Sequence, residues 1–148
     1  LFERLVLEIN QAGLSWELML RKRENFRVAF EGFDPARVAA YGEAERARLL
    51  ADAGIVRNRL KVDAVIHNAG VVVELSRCHG SFADWIDLHH PLPEAEWVKL
   101  FKRHFRFTGG EIVREFLMST GWLPGAHDPA CPVHERIVRQ SPPWRSAV

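Results

Sequence analysis

Cysteine is scarce in this chain of 148 residues: only Cys78 and Cys131 occur, far apart. That excludes a disulfide framework and points to a reducing compartment, the cytoplasm. No apolar run approaches the length needed to cross a bilayer, so no membrane partner is expected. A secretory leader is missing, since the chain opens on Leu1-Phe2-Glu3 without a charged start. It also opens without methionine, inside what already reads as a helix, and more protein is expected upstream. Excess charge is lacking too. With 20 basic and 19 acidic residues the formal net charge is +1, so any nucleic-acid contact must come from local placement of Arg and Lys. No Walker-type motif, Gly-rich phosphate loop or Ser/His/Asp nucleophile pattern is present. Gly109-Gly110 is too short to signify more than a helix entry. Internal repeats, low-complexity tracts and interdomain linkers are absent as well. What remains, 47% hydrophobic and 26% charged, fits one domain over residues 1–148 with a real core.

The apolar spacing is helical nearly throughout, which predicts an all-α, multi-helix fold. Leu1, Leu5, Val6, Ile9 and Ala12 form one stripe, and Gly13 closes that helix. Ser15 caps a second helix carrying Leu18, Met19, Phe26, Ala29 and Phe30. Asp34 and Pro35 supply an N-cap and a first helical residue for a short helix with Val38, Ala39 and Tyr41. Another short helix runs from about Glu43 to Ala51, and a longer one starts near Asn58. Val71-Val72-Val73 is β-branched, but its helical context and the lack of a partner strand favour helix. Ser81 caps a helix with Phe82, Trp85 and Ile86, and Pro91 and Pro93 mark a loop. Trp97, Leu100, Phe101 and Phe105 make the next stripe; Gly109-Gly110 opens the last clear helix, with Ile112, Val113, Phe116, Leu117 and Met118. The tail after Gly121 contains Pro124, Pro129, Pro132, Pro142 and Pro143 and is expected to be irregular.

The run Leu7-Glu8-Ile9-Asn10-Gln11-Ala12-Gly13-Leu14-Ser15-Trp16 carries the most chemistry. Glu8 is set among Leu5, Leu7, Ile9 and Ala12, which puts it near the edge of an apolar stripe. Trp16 follows a tight Gly13-Leu14-Ser15 turn. A lone carboxylate beside a large aromatic suits a pocket for a flat, partly cationic ring: the ring stacks on the indole, and its N–H groups meet the acid. Two alternatives stay open at this point, Glu8 as a solvated helix residue and Trp16 as ordinary core.

Leu49 to Lys61 reads as helix, glycine turn at Gly54, helix. Such a hairpin exposes backbone N–H groups at a helix start, where the missing internal acceptors and the helix dipole favour phosphate. Arg57, Arg59 and Lys61 add mobile positive charge at the same end, the physics of a helix-hairpin-helix element gripping a DNA backbone. A plain αα-hairpin with solvated arginines fits equally well. Arg21, Lys22, Arg23 and Arg27 form a second basic set, but Glu17 and Glu24 lie among them at pairing distance, which favours a solvated face. His127 and Cys131, four apart with His134 nearby, are able to supply half of a tetrahedral zinc site; most such pairs bind nothing. Cys78-His79 is adjacent in sequence and is taken as a loop accident.

Taken in order, these residues resemble the 3-methyladenine DNA glycosylase I family (the bacterial Tag type) of the helix-hairpin-helix glycosylase superfamily. The matching runs are Leu1-Phe2-Glu3, Leu7-Glu8, Gln11 through Trp16, Lys22 through Arg27, Phe33-Asp34-Pro35, Asp52 through Arg59 with Lys61, and Asn68-Ala69. Phe105-Arg106-Phe107-Thr108-Gly109, Gly121, His127 and Cys131 follow. The chain departs from the family between about Cys78 and Glu96, at Gly110-Glu111, where small hydroxyl residues are usual, at Arg114, where tyrosine is common, and around Trp122 to Gly125.

The resemblance implies an all-α, single-domain glycosylase fold in which a damaged nucleotide is flipped into a pocket between helical layers. Glu8 falls on the family's pocket glutamate and Trp16 on its base-stacking tryptophan. Gly54, Arg57, Arg59 and Lys61 fall on the DNA-binding hairpin. His127 and Cys131 fall on two of four ligands of a structural zinc, the other two belonging to an N-terminal segment that also carries pocket aromatics and is not in this sequence. The activity implied is release of 3-methyladenine from alkylated double-stranded DNA by a monomeric, cytoplasmic bacterial repair enzyme. Methylation already weakens the glycosidic bond, so extrusion and recognition of the base matter more than protonating it. The alternatives are a non-catalytic DNA-binding hairpin module or inactive fragment, and a structural protein with no DNA role.

Overall fold

The side-chain caps advertised by the sequence are in place in the computed structural model, which describes residues 1–147. The Ser15 hydroxyl accepts from the Leu18 N–H, Asp34 from Ala36 and Arg37, Asn58 from Lys61 and Ser81 from Asp84. Each satisfies a donor that a helix start leaves without an internal partner. The helices that result are α1 (Phe2–Gln11), α2 (Trp16–Ala29), α3 (Pro35–Ala39), α4 (Glu43–Ala51), α5 (Arg59–His79), α6 (Phe82–His89), α7 (Glu94–His104), α8 (Gly110–Thr120) and α9 (Pro132–Arg139). Single 3-10 turns cover Glu31–Phe33 and Pro143–Ala147. Among the described residues there is no strand, so the expectation of an all-α fold holds. Val71 to Val73 lie inside α5, as their context predicted.

The tail departs from expectation. Pro132 to Arg139 form α9, with Pro132 in the first turn, where a missing N–H costs nothing. Pro132 begins this helix and Pro142 follows it, so neither breaks it.

α5 is the axis of the molecule: α1, α3, α4 and α6 all pack on it. At 21 residues it is about 31 Å long. α1 also packs on α2 and α8, and α8 on α7. Two aromatic clusters fill the interior. Phe82, Trp85, Phe101, Phe105 and Phe116 pack with ring centroids 5.2–6.0 Å apart, and Phe26, Phe30, Phe33 and Tyr41 stack at 6.1–6.4 Å. Each such ring contributes about 1.5–3 kcal/mol when buried. α9 contributes no buried side chain.

Candidate active site

Residues of α1 are buried almost all round: Leu5, Val6, Leu7, Glu8, Ile9 and Asn10 are all inside. This closes the question left by the sequence, because Glu8 is 1% exposed and is not a solvated helix residue. It is held there because α8 and α5 cover α1 on other sides. α1 ends at Gln11; Gly13 just beyond has a left-handed φ of +79°, and the chain reverses so that α2 begins at Trp16 and returns along α1. The turn is tied by the Leu14 N–H donating to Gln11 O and the Gln11 side chain donating to Leu14 O.

The Glu8 carboxylate borders a cleft of about 300 Å³ whose other walls include Gly13 and, at the start of α8, Gly109, Gly110 and Ile112. Burial pushes its pKa up to about 7. Arg4, one turn earlier on α1, works against that rise, and Glu115 and Glu111 on α8 add to it. The Arg4 Nη2 lies 2.5 Å from Glu8 Oε1, yet Oε1 has no aligned hydrogen-bond donor. Arg4 is thus the charge partner of this buried acid, off the line of a hydrogen bond.

Trp16 is partly buried and faces a second cleft, of about 260 Å³, with Arg4, Leu7 and Leu20. It is therefore not ordinary core. The guanidinium of Arg4 lies over the indole, 4.4 Å from the ring centroid. Glu8 and Trp16 both contact Arg4, Trp16 at the face of its guanidinium and Glu8 at its edge, but they border different clefts rather than one open slot.

The hairpin forms as α4, a turn at residues 52–58, and α5. Gly54 sits in a tight space: a Cβ there would lie 2.9 Å from Asp52 Oδ1 and 3.2 Å from the Asn25 side chain, which would have to shift. Its own N–H is taken by Asp52 Oδ1 at 2.7 Å, so it is not one of the exposed amides. The amides of Val56, Arg57, Arg59 and Leu60 have no acceptor among the described residues. Arg57 and Arg59 are exposed; Arg59 touches Glu43 and Asp63 only at 3.9 and 3.8 Å. Lys61 contradicts the expectation of a mobile cation. It is 5% exposed, and its ammonium donates to Asn10 O at 2.9 Å and Ala12 O at 2.7 Å. The start of α5 is thereby stitched to the end of α1, one turn from Glu8. The reason is packing, since α5 docks on α1 at this point and the carbonyls that end α1 need donors.

Part of the second basic set proves structural. Lys22 donates to Ala53 O and Asn25 to Gly54 O, so α2 props the hairpin turn from behind. Arg21 pairs with Glu17 and Arg27 with Glu24, as the spacing suggested, while Arg23 and Arg27 also hold Glu3. Arg4 was missed by sequence reasoning, although its four-residue offset from Glu8 is the spacing of a helical ion pair.

His127 Nδ1 and Cys131 Sγ approach to 3.9 Å. Ligands on adjacent corners of a tetrahedral zinc stand about 3.6 Å apart, so the pair fits two corners. His134 turns away toward Trp144, with ring centroids 6.3 Å apart. Among the described residues no third His, Cys, Asp or Glu joins them.

An all-α fold built on a helix–glycine turn–helix hairpin, with a carboxylate buried beside an indole at the adjoining helix end, is that of the helix-hairpin-helix DNA glycosylases. Residues 1–96 match the methyladenine glycosylase family. The DNA-3-methyladenine glycosylase 1 of Escherichia coli (strain K12) is 38% identical over 140 residues, covering 82% of this chain and 75% of its own. That of Haemophilus influenzae is 33% identical, covering 89% of this chain and 81% of its own. A 3-methyladenine DNA glycosylase I structure in complex with 3-methyladenine superposes with a TM-score of 0.80 at 29% identity, over 88% of this chain and 80% of that one. A crystal structure of 3-methyladenine DNA glycosylase I matches with a TM-score of 0.78 at 36% identity, over 88% and 82%. The chain belongs to the methyladenine glycosylase family.

Proposed function

We infer that this protein is a DNA-3-methyladenine glycosylase acting in base-excision repair, and that Glu8 reads the flipped base. The relatives named above carry that activity. The observation that supports the role of Glu8 is its buried carboxylate, with Oε1 lacking an aligned donor on the wall of the cleft beside Gly109-Gly110. A purine methylated at N3 within DNA is a cation. An ionised acid in a dry site favours it over neutral adenine, and Trp16 adds a stacking and cation–π contribution. Water adds at C1′ as the bond to the base breaks. The base leaves neutral, because it takes the bonding electron pair, and the water proton goes to solvent.

Duplex DNA carrying the lesion is held at phosphates by the free amides of Val56, Arg57, Arg59 and Leu60, with Arg57 and Arg59 as charge partners. Gly54 allows the turn, and Lys61 joins it to the pocket from inside. Zinc would be held here by His127 and Cys131, would supply a structural clasp, and would take no part in the reaction. We place the enzyme in the bacterial cytoplasm, as one domain over residues 1–148 and as a monomer. No helix among the described residues is long and apolar enough to cross a membrane.

Base release from alkylated duplex DNA tests this reading. The wild-type chain is expected to release 3-methyladenine and the Glu8→Gln variant to release it at least about tenfold more slowly. Retention of DNA with no base released would leave a binding module.

A further inference from the structure

Arg4 occupies the place where a flat cation would be read. Its guanidinium is planar and charged, one face lies 4.4 Å from the Trp16 ring centroid, and its edge meets Glu8 Oε1 at 2.5 Å. A third contact, Nε donating to Ser119 Oγ at 2.8 Å, fixes its orientation against α8. Stacking face, positive charge and N–H edge are the three features by which the proposed site would recognise a methylated purine. We propose that Arg4 is a built-in competitor for the base site, which every incoming base must displace from Glu8 and Trp16.

This proposal rests on the functional reading above. Its physical content is a competition. In the free protein Glu8 and Trp16 already have a cationic partner, so an incoming base must offer the carboxylate and the indole at least as much as Arg4 does. Displacing Arg4 costs the same for every base, so all apparent affinities fall by one factor, set by the fraction of free protein in which Arg4 has left. Arg4 has somewhere to go. It also borders a larger cleft of about 580 Å³ shared with Glu115, Ser119 and Trp144. Glu115 has no ion-pair partner among the described residues and offers a second carboxylate on α8.

The test uses binding and catalysis separately. Dissociation constants for adenine and for 3-methyladenine are read from the Trp16 indole N–H signal in the wild type, Arg4→Met and Arg4→Lys. Arg4→Met keeps length and apolar contact but removes charge and the N–H edge. Its affinities for adenine and for 3-methyladenine are both expected to rise about tenfold, by the same factor. Arg4→Lys restores a charge without a flat stacking face and is expected to bind both with intermediate affinity. A merely structural arginine would weaken both ligands together. Affinities of Arg4→Met at or below those of the wild type would overturn the proposal. Should Arg4→Met fail to fold, the wild type decides: 3-methyladenine is expected to release the Arg4 Nε–H from Ser119, seen as faster exchange of that proton, and an unaltered signal at saturation counts against displacement. If the wild type releases no base from alkylated DNA, the functional reading fails, and the proposal falls with it; if it does and neither affinity rises in Arg4→Met, only the role of Arg4 fails.

Discussion

Asn68 on α5 closes a two-bond clamp on the backbone of Arg106: its amide donates to Arg106 O at 3.0 Å and its carbonyl accepts from Arg106 N–H at 2.8 Å. The clamp fixes the loop between Phe105 and Gly109, in which Phe107 adopts a left-handed φ of +60° and Thr108 is buried. That loop delivers Gly109 and Gly110 to the wall opposite Glu8. An Asn68→Asp substitution keeps the acceptor and removes the donor, leaving a carboxylate facing a carbonyl. It is expected to cost about 1–3 kcal/mol in urea denaturation and to slow base release through the loosened glycine wall. Stability and rate both at wild-type level would show that the loop does not need the clamp.

Lys61 and Arg57 differ in role though both lie at the start of the hairpin's second helix. Arg57 is exposed, and Arg57→Ala is expected to reduce the slope of log affinity against log salt by about one phosphate contact. Lys61→Met, with its ammonium removed from Asn10 O and Ala12 O, is expected to lose about 1–3 kcal/mol of stability and leave that slope as in the wild type. Duplex-DNA titrations at several salt concentrations separate the two. A slope reduced by Lys61→Met would return it to the DNA face.

A side chain at Gly54 would crowd the groups that tie the hairpin turn. Gly54→Ala puts a methyl 2.9 Å from Asp52 Oδ1 and against the Asn25 side chain, which props the turn. DNA affinity is expected to fall by about tenfold while the far-ultraviolet circular dichroism stays helical. Unchanged affinity would mean that the turn is not the phosphate grip.

Cys78 and Cys131 form an internal pair of reporters for zinc. Cys78 is exposed on α5, with its sulfur near Glu74 and Arg77, whereas Cys131 stands 3.9 Å from His127 Nδ1. Added zinc is expected to slow alkylation of Cys131 and leave Cys78 reactive, and His127→Ala is expected to abolish the protection. Equal labelling of Cys131 with and without zinc would remove the metal from the account.

Helix starts were legible because a cap is a local event: Ser15, Asp34, Asn58 and Ser81 each bond within three residues of themselves. The inward turn of Glu8 was legible from its apolar flanks. The burial of Lys61 was not, because its acceptors lie about fifty residues away and are backbone carbonyls, which leave no trace in residue type. Arg4 was half legible. Its offset from Glu8 announces an ion pair, but its position over Trp16 depends on the chain reversal at Gly13. α9 was hidden by its own prolines, since Pro132 starts a helix and Pro142 follows one, and only position distinguishes those uses from a break.

Glu8 makes stability depend on pH in a direction opposite to most paired acids. Its pKa stands at about 7 in the folded protein against an ordinary 4.5, because burial outweighs the help of Arg4 while Glu115 and Glu111 face it from α8. Between those two pH values the folded chain holds a proton that the unfolded chain has released. Stability therefore falls as pH rises from about 4.5 to about 7, by up to about 3 kcal/mol from this one group, and the loss is complete above the folded value. Glu8→Gln removes the titration but keeps the size. The variant and the wild type are expected to match in denaturation midpoint near pH 5 and to diverge by pH 8, the variant being the more stable. The same titration governs the activity in reverse: the carboxylate, not the acid, favours a cationic base, so base release by the wild type is expected to rise through pH 7. Midpoints that stay parallel from pH 5 to pH 8 would mean that the Glu8 proton is not held by folding, and a release rate flat across that range would separate the charge of Glu8 from recognition of the base.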